Sequence, residues 1–268
     1  MKNKLILAAL ISSFILPAFS AQAATSSTII VSGDLIRGET FSAVYYMGAD
    51  GFRYVFPNEK TYFTWYSDFS AVKRISDAQL GTIQIGGNVT YKPGVKMVKI
   101  NTDPKTYAVD TDGTLLWVTS ESVAQAMSGS SWSTNVEDIP DGFFANYTVN
   151  GGTLTSSTEV SSYRLRLASG LNQDINDDKG LTAPTVVTIA ASSGSGFAPL
   201  SATVQAGHTV QFVNDSTGAK HTATGDNGVW GTGTMEPGAN FVIRFNTPGT
   251  YTYYDSYVTS NTGVIVVE

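Results

Sequence analysis

The stretch "GTYTYYDSYVTSNTGVIVVE", residues 249–268, places two strands around one short loop. Tyr251 and Tyr253 fall on one face of the first strand, because side chains in a strand alternate with period two. "TGVIVVE" (262–268) reads as the second strand. The loop between them, "DSYVTSN" (255–261), contains no cysteine, histidine or methionine. What the protein does turns on whether this loop holds a ligand or only a shape.

The segments upstream extend the same pattern. "TVVTIAA", "ATVQAGHTVQFVN" and "NFVIRFN" alternate in turn, and Gly or Pro turns separate them at short intervals. Val210 shares a face with Phe212, and Phe241 shares one with Ile243 and Phe245. Many short alternating strands with frequent turns predict a β-sandwich over residues 184–268.

Residues 28–150 carry a degenerate internal repeat. "AVYYMGADGFRYVFPNE" (43–59) matches "KTYAVDTDGTLLWVTSE" (105–121), and "DFSAVKRISDAQL" (68–80) matches "SWSTNVEDIPDGF" (131–143). Tyr45 pairs with Tyr107, Asp50-Gly51 with Asp112-Gly113, Phe69 with Trp132, and Ile75 with Ile139. Each copy has apolar alternation around an Asp-Gly dipeptide, a strong hairpin signal. A helix start follows, with Asn58 or Ser120 as cap and Glu59 or Glu121 in the first turn. The expected organisation is a small α+β tandem-repeat domain of hairpins and short helices, with units at about 28–95 and 96–150. Trp65, Phe69, Trp117 and Trp132 are expected in its core.

Residues 151–183 are Ser/Thr/Gly-rich and then acidic. They read as a linker with a short strand at 163–167. The run "NQDINDDKG" (172–180) lacks the carboxylate spacing and closing glutamate of an EF-hand loop, so it predicts a solvated segment.

Lys2 and Lys4, an apolar run from Leu5 to Phe19, and Ala21-Gln22-Ala23 together read as a secretory signal peptide, residues 1–23. That predicts an exported protein, periplasmic, cell-surface or extracellular, with no membrane span in the mature chain. The chain has 16 basic and 22 acidic residues, and the predicted mature form is more acidic still. Such a surface argues against nucleic acid as a partner. With no cysteine there are no disulfides and no thiolate chemistry, and only two histidines, His208 and His221, are present.

The C-terminal segment resembles the cupredoxins, the plastocyanin-like blue copper proteins. The resemblance rests on "FAPLSATVQAGHTVQFVNDSTGAKH" (197–221), "EPGANFVIRFNTPGTYTYYDS" (236–256) and "TGVIVVE". It implies a cupredoxin-like Greek-key sandwich. In that family an early histidine and a Cys-x-x-His-x-x-Met loop hold copper. His221 matches the early histidine, but Asp255, Val258 and Asn261 stand where the cysteine, histidine and methionine would be, with Gly263 following. A blue site requires a thiolate with two imidazoles, so no cofactor is expected; weak metal binding through His221 and Asp255 is the alternative. His208 is expected at the opposite end of the sandwich from His221, and Met235 in loop packing.

The repeat region more loosely resembles modules of exported bacterial surface proteins, which implies location rather than mechanism. Its aromatics suggest glycan stacking through Tyr46, Tyr62 and Tyr66 as a further possibility. No nucleophile elbow, metalloprotease motif, phosphate loop or dinucleotide fingerprint occurs. Asp110 with Asp112 and Asp177 with Asp178 read as turn and linker residues. The expectation is a non-enzymatic protein whose partner is an unidentified protein or glycan at the cell surface.

Overall fold

The computed structural model describes residues 28–169, 174–189 and 196–268; the predicted signal peptide lies outside them. The chain is mainly β, built on four sheets with short helices.

The first sheet contains β1 (Leu35–Gly38), β2 (Tyr45–Met47), β3 (Arg53–Val55), β4 (Val72–Ile75) and β5 (Ile85–Asn88). Its order is β4-β1-β2-β3-β5. The first three strands form an antiparallel meander; β4 returns parallel to β1, and β5 parallel to β3. Parallel returns need crossovers, which α1 (Glu59–Trp65) and α2 (Asp77–Thr82) supply. Asn58 caps α1 by accepting from the Thr61 amide, and Ser76 caps α2 by accepting from Gln79.

The second sheet contains β6 (Met97–Ile100), β7 (Asp103–Val109), β8 (Leu115–Val118), β9 (Val136–Asp138) and β10 (Thr153–Leu154). It follows the same plan: a meander, with β9 parallel to β6 and β10 parallel to β8. Here α3 (Glu121–Ser128), capped by Ser120, and α4 (Asp141–Phe144) make the crossovers.

The stretch expected to be a linker is helical, and no strand forms at 163–167. Instead α5 (Ser157–Ala168) and α6 (Ile175–Lys179) occupy it. Val160 and Tyr163, one helical turn apart, are buried against the second sheet, with Leu167 packed beside them. Six Ser and Thr residues in 155–162 conceal that apolar stripe.

Helix α6 explains the acidic run. Asp174 caps it, accepting from the Asp177 amide. Ile175 is fully buried in the core of the first sheet. Asn176 Oδ1 accepts from the Ala49 amide at 2.7 Å, and Asp178 Oδ1 accepts from the Asp112 amide at 3.2 Å. The helix is thus wedged between the two Asp-Gly turns.

Burial pushes the Asp178 carboxyl up to about 7; the nearby Asp112 and Asp110 charges add to the rise, while the Asp112 amide and Lys179 oppose it. The folded protein therefore holds this proton more tightly than the unfolded chain does. Stability from this group is largest below about pH 4, declines as pH rises toward 7, and is then flat. Asp178→Asn is expected to stabilise the protein by roughly 1–3 kcal/mol at pH 8 and to have a smaller effect at pH 5. Denaturant unfolding of both proteins at the two pH values measures this, and an equal effect at both would refute it.

The sandwich pairs two four-stranded sheets. One contains β11 (Thr185–Ile189), β12 (Phe197–Ala198), β14 (Thr209–Asn214) and β16 (Asn240–Arg244). The other contains β13 (Ser201–Val204), β15 (Thr224–Gly225), β17 (Gly249–Tyr254) and β18 (Thr262–Val267). The orders are β12-β11-β14-β16 and β13-β18-β17-β15. Val210, Phe212, Tyr253 and Ile265 fill the space between the sheets. Tyr253 lies across from Gly263, where a Cβ would stand 2.3 Å from the Tyr253 ring. The glycine after the loop is therefore required by packing.

β16 is covered on both faces. Phe241 and Ile243 pack on the sandwich core, while Val242 is buried in the core of the first sheet. The Gln84 side chain acts as a short partner strand on β16: its Nε2 donates to the Val242 carbonyl and its Oε1 accepts from the Val242 amide, both at 2.9 Å. Buried Asp50 accepts from Arg244 and, at 2.6 Å, from the Tyr54 hydroxyl. Gly51, at φ 88°, brings the turn against Val242, whose Cγ2 would meet an added Cβ at 3.0 Å. The Asp-Gly turn thus joins the first sheet to the sandwich.

Candidate functional site

Strand β17 alternates Tyr253 inward and Tyr254 toward the surface, so the next inward residue is Asp255, whose exposure is 0%. The loop after it closes through its own main chain. The Asp255 amide donates to the Asn261 carbonyl at 3.0 Å, Val258 to Asp255 at 3.2 Å, and Asn261 to Val258 at 2.8 Å.

The other half of the site is the segment after β14. Asn214, fully buried, accepts from the Ser216 amide and donates to the carbonyls of Ala219 and Met235. That fastens the turn leading to His221. His221 then pairs through its main chain with Met235, at 2.8 and 3.2 Å.

The two halves meet at one contact. His221 Nδ1 and Asp255 Oδ2 are 2.6 Å apart, and both residues are buried. Asp255 Oδ1 accepts from the amides of Thr222 and Tyr257, each at 3.0 Å. Thr222 Oγ1 accepts from the Ser256 amide at 2.8 Å and lies 2.9 Å from the Ser256 hydroxyl. A buried carboxylate is tolerated only when its lone pairs are engaged; here three donors engage them.

His221 Nδ1 and Asp255 Oδ2 are not placed to share one copper ion. Two donors bound tetrahedrally to one ion at ordinary metal–ligand lengths stand roughly 3.3 Å apart; Nδ1 and Oδ2 are closer and hydrogen-bonded to each other. Val258 is an exposed valine and Asn261 carries an amide, so neither supplies the imidazole or thioether of a blue site. Among the described residues no group of three or more His, Cys, Asp or Glu side chains is arranged to hold a metal ion. Nor does a hydroxyl among them hydrogen-bond the His221 ring, as a nucleophile paired with a base would.

Of the other predicted residues, His208 is exposed just before β14, and His221 follows that strand's far end, so the two lie at opposite ends of the sandwich. Met235 is buried in the core. Tyr46 and Tyr62, expected as glycan-stacking rings, are each 1% exposed and belong to the first sheet's core. Tyr66 is half-buried against the same cluster. Conversely, Phe69 and Trp117, expected inside, are 46% and 37% exposed. Period two puts Tyr46 inward in β2 and Trp117 outward in β8, and Tyr62 takes the buried face of α1. Asn214, Thr222, Ser256 and Tyr257 were not singled out as site residues. The available signal was adjacency in the chain: Thr222 follows His221, and Ser256 and Tyr257 follow Asp255.

No protein-family model matches the chain, and no curated protein matches it. Solved structures similar to part of it include a purple cupredoxin from Nitrosopumilus maritimus, 23% identical, covering 31% of this chain and 99% of that one, with a TM-score of 0.28. Amicyanin from Paracoccus versutus is 27% identical over 32% of this chain and 81% of its own, with a TM-score of 0.28. A copper-containing nitrite reductase from Thermus scotoductus is 25% identical over 32% of this chain, with a TM-score of 0.30; the match spans 23% of that enzyme.

Proposed function

We propose that this is a non-catalytic exported protein, acting at the cell surface or outside the cell, in which the C-terminal sandwich is an interaction or structural module. The sandwich keeps the sequence features of a cupredoxin without its redox centre. The observation that carries this reading is the 2.6 Å contact between His221 and Asp255, which uses the only retained ligand on an internal partner. Export is supported by the charged start, short apolar run and A-x-A site at the N-terminus. In the same reading, the shared strand order of the first two sheets reflects two copies of one unit.

The alternative, a weak metal site formed by His221 and Asp255, is less favoured because Nδ1 and Oδ2 are hydrogen-bonded to each other rather than spread around a common ion. Calorimetric titration of the protein with Cu(II), beside His221→Ala, decides between them. Our reading expects no stoichiometric binding at micromolar affinity by either protein. Stoichiometric binding that disappears in the variant would sink it.

A further inference from the structure

The two N-terminal units carry the same groove in the same place. In the first unit it is lined by positions 42–44, 55–59, 62 and 69, and has a volume of about 720 Å³. In the second it is lined by positions 104–106, 117–121, 124 and 132, and has a volume of about 350 Å³. Each position of the second set lies 62 beyond its counterpart in the first, or 63 at the last. Asn88 and Phe143 also line the first groove. Each groove runs between the end of the third meander strand and the helix that follows it.

The chemistry is shared as well as the position. An aromatic ring stands at the equivalent sites Phe69 and Trp132. Phe69 is stacked at 4.4 Å on buried Tyr62 and lies edge to face with Phe63 at 5.3 Å, yet it stays 46% exposed and lines the groove. Trp132 donates from Nε1 to Glu121 Oε1 at 3.4 Å, which holds its ring beside a carboxylate. Glu59 is the matching carboxylate in the first groove; it is exposed, and among the described residues nothing hydrogen-bonds it. Trp117 adds a second partly exposed ring to the second groove, with Lys105 Nζ over one face at 5.1 Å from the ring centroid.

We propose that the two grooves are a pair of binding sites for short stretches of a neutral polysaccharide. The C–H face of a sugar ring stacks on an aromatic face, and its vicinal hydroxyls donate to the neighbouring carboxylate. No basic residue lines the first groove itself, although Arg37 and Arg74 line the cleft that adjoins it at Ser42, Val44 and Phe69. Lys105 lines the second, and each groove carries a carboxylate, Glu59 or Glu121, in an acidic chain, which disfavours a polyanionic ligand. An extended peptide would add to a sheet edge, but β2, β3, β7 and β8 are interior strands with both neighbours in place. This inference is independent of the sandwich, so the copper titration and the experiment below can fail separately.

The test is calorimetric titration of the full chain with three neutral hexasaccharides: β-1,4-linked glucose, β-1,4-linked N-acetylglucosamine and α-1,4-linked glucose. At least one is expected to bind at two molecules per chain. Phe69→Ala and Trp132→Ala are each expected to reduce this to one, and the double variant to none. Trp132→Phe, which keeps a ring as the first groove does, is expected to retain binding; circular dichroism checks that each variant is folded. Failure of all three sugars to bind the parent protein overturns the proposal, as does binding that the folded double variant retains.

Discussion

Asp255→Ala is expected to destabilise the protein by about 3–5 kcal/mol, because it removes a fully buried side chain that three hydrogen-bond partners share. The carboxylate receives three donors: His221 Nδ1 and the amides of Thr222 and Tyr257. Truncation leaves two main-chain amides without their acceptor, each costing roughly 1–3 kcal/mol. His221 loses the partner that holds its ring, and a cavity forms where the side chain is fully buried. Asp255→Asn keeps one oxygen acceptor and is expected to lose less than half as much. Denaturant unfolding followed by near-ultraviolet circular dichroism measures both. A loss below about 1 kcal/mol for the alanine variant would show that the contact does not hold the loop.

The second large effect is a gain. The combined variant Asp255→Cys, Val258→His and Asn261→Met is expected to bind one Cu(II) and to develop the intense visible band of thiolate-to-copper charge transfer. The parent protein with Cu(II) is expected to show none. The combination would supply the thiolate, second imidazole and weak axial thioether of a blue site around His221. The loop is closed by main-chain hydrogen bonds among Asp255, Val258 and Asn261, which do not depend on these side chains. The amides of Thr222 and Tyr257 now meet Oδ1 and would meet sulfur in the variant. A colourless copper complex, or no complex, would end the position-by-position correspondence of this loop with a ligand loop.

The coupling of the sandwich to the first sheet has a bearing on how the protein is studied. Val242 completes the first sheet's core while belonging to a sandwich strand. Cutting the chain near residue 184 would expose that valine, free the Gln84 amide clamp and strip Arg244 from Asp50. Full-length protein is therefore the right material for both experiments above.

Several features were legible in the chain itself because their causes are local. Alternation over 201–267 set the sandwich strands, since a period of two forces every second side chain inward. Asn58 and Ser120 marked helix starts because a capping side chain reaches only the next two or three amides. The absence of cysteine excluded a blue copper site whatever the fold.

Other features required the tertiary structure because they join distant residues. His221 and Asp255 are 34 positions apart, and nothing local says that the two would bond each other rather than share an ion. Asp50 meets Arg244 across 194 positions, which turned a hairpin residue into a buried contact between sheets. Alternation marks two faces of a strand but does not say which neighbour covers the outer one; hence Val242, on the face opposite Phe241 and Ile243, is buried against the first sheet, while Phe69, expected in the core, is exposed. Helix α5 was hidden by its Ser and Thr residues, whose intrinsic preference was overridden by the packing of Val160 and Tyr163. By itself the sequence determined the sandwich strands, the helix starts at Asn58 and Ser120, and the absence of any thiolate. Only the folded chain decided what His221 does with its nitrogen and which rings face water, because both depend on what packs alongside.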